Sequence, residues 1–215
     1  MTNLILSEKG QRLVNMYSEM AENGYATNLG ADVKDAYNSF ELRKIRDVVK
    51  NKFKQHDVRT VLDYGCGGSD WNAPGFENEI SAADFFELNK VYRYEPAREI
   101  DERASVDCVV CFDVLEHIFV SDVATVLRDI FSHAEKLVIL NVACYEANAL
   151  LPNGENAHIT VRNPHWWKGA LDLISVEFPS ISVDLICSPQ YNKMLAFPTF
   201  SDCQRQADDN FCIAY

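Results

Sequence analysis

A chain of 215 residues with 47% apolar and 24% charged side chains has the length and composition of one globular domain that buries its own core. Twenty Lys and Arg against 32 Asp and Glu leave a net charge of −12, a field that repels phosphate backbones and anionic membranes and argues against duplex nucleic acid as a partner. Seven scattered cysteines, odd in number and set mostly among apolar neighbours, argue against a disulfide framework and fit reduced thiols in a cytoplasmic protein.

The amino terminus has no basic stretch followed by a long apolar run, and no segment has the length of a bilayer span, so no membrane partner is expected. Residues 8–55 read as helical. Leu13, Met16 and Met20 recur near a period of 3.6 before a break through Gly24 and Gly30. Asn38 is a fitting N-cap with Glu41 three residues on, and Phe40, Ile45, Val48, Val49 and Phe53 then form one apolar stripe for packing on a sheet. Residues 1–56 are therefore expected to be helices that pack on the sheet and cover its site, and 57–215 to form the ligand-binding part of one structural domain.

From residue 60 strands and helices alternate. Buried-strand runs lie at 60–63, 90–94, 107–112 and 137–142, with a helix at 122–133 whose apolar positions are Val123, Val126, Leu127 and Ile130. Short apolar strands separated by helices predict a parallel sheet with right-handed crossovers. Residues 181–186 and 193–197, joined by a turn-like 188–192, have no room for a crossover and are expected to be antiparallel. The polar end, 202–215, reads as loosely held. Cys108 and Cys111 form a C-x-x-C, but in a strand residues three apart face opposite ways and cannot chelate one metal, so no metal site is expected.

The strongest chemical signal is Val61-Leu62-Asp63-Tyr64-Gly65-Cys66-Gly67-Gly68-Ser69, a strand that breaks into glycines before a further helical stretch. Glycines there let the backbone turn sharply and approach a ligand closely. A pyrophosphate would gain nothing from the carboxylate of Asp63, whereas a ligand carrying an ammonium and a sulfonium would.

Asp63-x-Gly65-x-Gly67 resembles motif I of the class I S-adenosylmethionine-dependent methyltransferases. Tyr94-Glu95-Pro96-Ala97 stands where that family ends its second strand with an acidic residue, and Asp113-Val114-Leu115-Glu116-His117 is similar to the fourth-strand segment D-V-L-E-H of ubiquinone-biosynthesis-type members. Leu151-Pro152-Asn153-Gly154-Glu155-Asn156-Ala157-His158-Ile159-Thr160 followed by Pro164-His165-Trp166-Trp167 resembles a set of bacterial and phage-type methyltransferases. The resemblance runs from Tyr37 to Trp167. It implies a Rossmann-like α/β fold, mostly parallel with helices on both faces and an antiparallel C-terminal hairpin, and S-adenosylmethionine as cofactor. It implies cofactor contacts from Asp63, Gly65, Cys66, Gly67, Glu95, Asp113, Val114 and His117, with Glu95 accepting from the ribose hydroxyls. Two departures stand out. Ser69 follows Gly68 where a third glycine is usual, and the ten residues 98–107 leave little room for a normal third strand, with Asp101 as a candidate for the adenine amine.

Ligands of open α/β sheets sit beyond the carboxyl ends of the strands, which brings Asp113, Glu116, His117, Asn141, Tyr145 and His158 toward the transferring methyl. His158 and Tyr145 are the candidate catalytic residues. Imidazole titrates near neutrality and can take a proton from an acceptor hydroxyl, although His158 would equally serve to order its loop. His117 reads as shaping the cofactor pocket or capping a helix. Trp166 and Trp167 would stack on an acceptor or belong to the core. Phe112-Asp113-Val114-Leu115 differs from the [DNS]-P-P-[YF] of DNA amino-methylases, so a small-molecule, sugar or nucleotide-type acceptor is expected. A non-catalytic module that binds S-adenosylmethionine or S-adenosylhomocysteine is the alternative. An aminopropyl transferase would need paired acidic residues around a polyamine channel, and the sequence does not display them.

Overall fold

Two apolar layers on either side of a twisted sheet hold this chain together, and the sequence period of each strand decides which residue joins which layer. A computed structural model describes residues 4–34, 40–191, 193–197 and 211–214. Helix α1 spans Glu8–Asn23, capped by Ser7, whose hydroxyl accepts from the Gly10 amide at 3.2 Å. The break after it carries a small antiparallel hairpin, β1 (Tyr25–Ala26) with β2 (Asp32–Val33). Helix α2 is Phe40–Gln55. The expected cap Asn38 lies outside the described residues.

The main sheet follows: β3 Thr60–Tyr64, a single helical turn α3 Ala82–Phe85, β4 Lys90–Glu95, β5 Ile100–Asp101, β6 Val106–Phe112, α4 Val120–His133, β7 Ala134–Ala143, α5 Pro164–Ser175, β8 Ser182–Gln190, β9 Lys193–Phe197 and β10 Phe211–Ala214. Among the described residues the strand order is β10-β9-β8-β7-β6-β3-β4-β5. The five central strands from β4 to β8 are parallel, and β5, β9 and β10 pair antiparallel to their neighbours. This is a Rossmann-like α/β fold. The chain leaves β3 toward β4 on one side and returns to β6 on the other, so the order reverses at β3, where a crevice opens beyond the strand ends.

Alternation along β6 sends Val109 and Cys111 to the layer under α4 and α5, and Cys108 and Val110 to the layer under α2. The two cysteines of the C-x-x-C thus lie in different cores. The first layer is built on Ile130, Phe131, Trp167 and Leu171, the second on Ile45, Val49, Phe53 and the aromatic cluster of Trp71, Phe76 and Phe86. Truncating a fully buried ring such as Phe131 in a core of this kind costs about 3–5 kcal/mol. A third, smaller cluster, with Leu13, Met20, Leu151 and Ala157, seats α1 on the loop after β7.

Three expectations need correction. The helical stretch expected after the glycine loop shrinks to α3, because Pro74-Gly75 and the left-handed Asn78 and Glu79 interrupt it. The third strand is the two-residue β5, in keeping with the little room that 98–107 leave. Strand β8 runs on to Gln190 through the expected turn, with Pro189 tolerated where the β8–β9 register shifts. Of the polar end, residues 211–214 form β10, and 202–210 lie outside the described residues. No helix among the described residues is long and apolar enough to cross a membrane.

Candidate active site

The loops leaving β3, β4, β6 and β7 and the inner face of α1 enclose a cavity of about 710 Å³. Its size falls within the range of small-molecule sites. Asp63, Gly65, Cys66, Gly67, Glu95, Asp113, Val114, His117, Tyr145 and His158 all line it.

At the end of β3 the amides of Gly65 and Cys66 both donate to the Tyr94 carbonyl, at 2.8 and 3.1 Å, which turns the chain over the edge of the sheet. Gly65 adopts φ +80, and a Cβ there would meet Val114 Cγ2 at 2.4 Å, so glycine is required twice over. The Ser69 amide closes a turn onto Cys66, so Ser69 stands in the loop wall without a third glycine. No long helix begins behind this loop, so it lacks the aligned amide dipoles that hold a pyrophosphate.

Its charge is of the other sign. Asp63 is buried and accepts from the Trp71 indole N–H at 2.8 Å. Burial, opposed by the indole bond and aided by the nearby Glu95 charge, raises its carboxyl to about 7. Glu95 accepts from the Gly67 amide at 2.9 Å and the Ala97 amide at 3.0 Å, tying the glycine loop to the turn after β4. Burial raises the Glu95 carboxyl too, and these two amides hold the rise down. Each of its oxygens keeps a second lone pair. Among the described residues, Asp63, Glu95, Asp113, Asp122 and Glu146 line the cavity against the one guanidinium of Arg98.

The opposite end is built from distant segments. Asp113, at the end of β6, takes a left-handed conformation, φ 58, with its amide on the Asn141 carbonyl. The next turn, Leu115–His117, is a 3₁₀ helix, whose three residues per turn point 120° apart. His117 therefore meets the cavity while Glu116 turns into the core, where its Oε1 accepts from the Ala143 amide. Burial and the neighbouring Asp113 charge hold the Glu116 carboxyl well above its ordinary range. His117 Nδ1 lies 2.6 Å from the Tyr17 hydroxyl and 3.0 Å from the Ala157 carbonyl, which also accepts from Tyr17 at 3.1 Å. Burial and the adjacent His158 lower its imidazole to about 4, against the pull of Asp113.

His158 is brought in by the loop after β7. Asn156 staples that loop, its Oδ1 accepting from the Ala147 and His158 amides at 3.0 Å each. His158 Nδ1 donates to the Tyr145 carbonyl at 2.5 Å, and its Nε2 faces Asp113 Oδ1 at 3.9 Å. The Tyr145 ring stands 5.8 Å from the His158 ring.

Several expected residues are elsewhere. Glu116 and Asn141 do not line the cavity, and Asn141 instead donates to the Ile186 carbonyl. Asp101 is held by Arg103 at 2.7 and 2.8 Å on the sheet edge, away from the cavity. Trp167 is core, and Trp166 packs against that core outside the cavity wall. Sequence reasoning missed Tyr17, Tyr25, Trp71 and Leu13, which also line the cavity. Helix α1 is docked through its N-cap Ser7, whose amide and hydroxyl both donate to Asp122 of α4, at 2.8 and 2.7 Å.

Comparison with curated proteins and with solved structures returns no match. A family model described as a methyltransferase domain matches residues 37–174, which contain β3 to β7, the glycine loop and both histidines. The chain belongs to that methyltransferase-domain family.

Proposed function

We propose that the chain transfers the methyl group of S-adenosylmethionine to a small-molecule acceptor that bears a hydroxyl. The observation that carries this reading is the charge of the cavity: among the described residues five carboxylates against one guanidinium, with buried Asp63 and half-buried Glu95 on either side of a glycine turn that has no helix dipole behind it. Such a lining favours a ligand with an ammonium and a sulfonium over a phosphate ligand. Gly65, Cys66 and Gly67 let the nucleoside approach the backbone, Glu95 receives the ribose hydroxyls, Asp63 answers the cationic end, and Asp113, Val114 and His117 border the methyl.

Tyr145 and His158 meet the acceptor. Methyl transfer is an in-line displacement at carbon, so the protein chiefly aligns acceptor oxygen, methyl carbon and sulfur, and excludes water. Helix α1 and the loop after β7 close over the cavity, which supports a small acceptor. Calorimetric titration with S-adenosylmethionine and S-adenosylhomocysteine should show saturable one-to-one binding. With labelled cofactor and fractionated small metabolites, label should pass to at least one fraction. His158→Ala should cut that transfer on the order of a hundredfold. Absence of binding by either nucleoside at millimolar concentration would refute the reading; binding with no transfer to any fraction would leave only a binding module.

A further inference from the structure

Three donor atoms from two distant stretches of the chain converge on one point at the acceptor end of the cavity. Asp113 follows β6, His117 closes the 3₁₀ turn, and His158 comes from the loop after β7. One ligand atom from each lies within 4.8 Å of the other two. The two imidazole rings stand edge to face, 4.6 Å between centroids at 83°.

The opposite side of each ring fixes which nitrogen is offered. His158 gives its Nδ1–H to the Tyr145 carbonyl. The Nδ1–H of His117 is shared between the Ala157 carbonyl and the Tyr17 hydroxyl. A carbonyl only accepts, so the proton sits on Nδ1 of His158; with the Tyr17 hydroxyl donating to the Ala157 carbonyl at 3.1 Å, it sits on Nδ1 of His117 as well, and each Nε2 carries a lone pair. This outer shell of carbonyls and a hydroxyl is how proteins orient and tautomerise metal-bound histidines.

The placement of Asp113 separates two readings of the cluster. In a carboxylate–histidine base, the carboxylate holds the nitrogen opposite the substrate. Here Asp113 approaches Nε2, the same nitrogen that faces the cavity, while a backbone carbonyl occupies the other. A single base would also leave the second imidazole without a task. Asp113 reaches this position in a left-handed conformation that L-residues seldom adopt, and its half-exposed carboxylate has room to swing inward. Ligand bonds of about 2.0–2.2 Å place the donors of one ion roughly 3.0–3.5 Å apart, an adjustment within reach of small side-chain rotations.

We propose that Asp113, His117 and His158 bind one divalent transition-metal ion, Zn²⁺ or a cation of similar hardness, whose open positions receive the acceptor's hydroxyl oxygen. Two imidazoles and one carboxylate suit such ions better than Mg²⁺ or Ca²⁺, which prefer all-oxygen shells. What the ion does rests on the methyl-transfer reading; that it binds does not. The acceptor O–H bond breaks and its proton leaves to solvent, eased by the cation's charge. The oxygen then forms the new bond to the methyl carbon, and the carbon–sulfur pair stays on sulfur, leaving neutral S-adenosylhomocysteine. The ion, rather than His158 as a base, then takes up the charge on the acceptor oxygen.

The test uses the full chain after dialysis against a chelator, titrated with Zn²⁺ in a calorimeter and with Co²⁺ followed by visible absorption, both without any nucleoside present. One equivalent of each ion should bind, Co²⁺ developing a visible ligand-field band. His158→Ala and Asp113→Asn should each weaken binding by at least about a hundredfold, and His117→Ala with His158→Ala should abolish it. His165→Ala, away from the cluster, should bind as the parent does, which guards against adventitious surface histidines. Circular dichroism of each variant keeps loss of fold apart from loss of ligands. No saturable uptake of either ion, or equal uptake by the folded double variant, would overturn the proposal. Nucleoside binding is measured separately, so failure of the cofactor reading leaves this result standing, and the reverse.

Discussion

The two ends of the cavity are made in different ways. At one end, Asp63, Gly65 and Gly67 lie within five residues of each other, and Glu95 comes from the neighbouring parallel strand. At the other, Tyr17, the Asp113–His117 turn and His158 come from three separate segments, held by hydrogen bonds that span 100 and 140 residues. The first end depends on backbone shape and buried charge, the second on side chains propped by carbonyls. Substitutions should therefore act differently at each: on nucleoside affinity at the glycine end, on transfer at the histidine end.

The largest effect is expected from Gly65→Ala. The new methyl meets Val114 Cγ2 at 2.4 Å in a backbone region that costs an L-residue roughly 1–2 kcal/mol. Nucleoside affinity should fall at least about a hundredfold, with a lower melting temperature. Adding Val114→Ala should recover only the steric part, because the positive φ remains. An affinity equal to the parent's, by calorimetry, would show that the glycine turn does not carry the nucleoside.

Asp63→Asn comes next and should separate binding from stability. The native carboxyl titrates near 7 and an unfolded one near 3.8, so the folded chain keeps this proton over a pH range in which the unfolded chain has lost it. Stability contributed by this group is thus present below about 3.8 and lost as pH rises through about 7. Removing the charge should stabilise the nucleoside-free protein at pH 8 by on the order of 1–3 kcal/mol, and by almost nothing near pH 4. Affinity for the cationic nucleoside should move the other way: in the parent it should rise about tenfold per pH unit up to roughly pH 7, then level off. The variant should bind more weakly and without that slope. A flat profile in the parent would remove Asp63 from the cationic end.

The same contrast explains what the sequence made legible. A strand, a glycine turn and an acid two residues before it are local chemistry, so Asp63, Gly65, Gly67 and Glu95 could be named without knowing where the rest of the chain goes. The parallel core was equally readable, because alternation along β6 and β7 leaves few ways to bury those runs. Tyr17 was hidden, since the stripe of α1 looks like any core-facing helix until Ser7 is seen bonded to Asp122. Gly10 carries the same information: a Cβ there would meet Asp122 Oδ2 at 2.6 Å. Asp101 was misread because Arg103, two residues on, claims it and bridges to buried Asp129. Glu116, expected beside His117 in the cavity, turns into the core because a 3₁₀ turn obeys neither the strand nor the α-helix period.

The smallest effect should come from Tyr17→Phe, which removes one hydroxyl from the histidine end and leaves the rest of the ring in place. Without it, His117 Nδ1–H still has the Ala157 carbonyl at 3.0 Å, so no buried donor is orphaned. The hydroxyl's contacts with His117 and with the Ala157 carbonyl are both lost, neutral bonds worth about 0.5–1.5 kcal/mol each, and the edge-on contact of the two rings at 5.5 Å survives. Transfer should slow by roughly 2- to 10-fold, while nucleoside affinity stays within about twofold of the parent. An equal fall in both would mean that α1 holds the nucleoside as much as it holds His117, and the two ends would then have to be treated as one site.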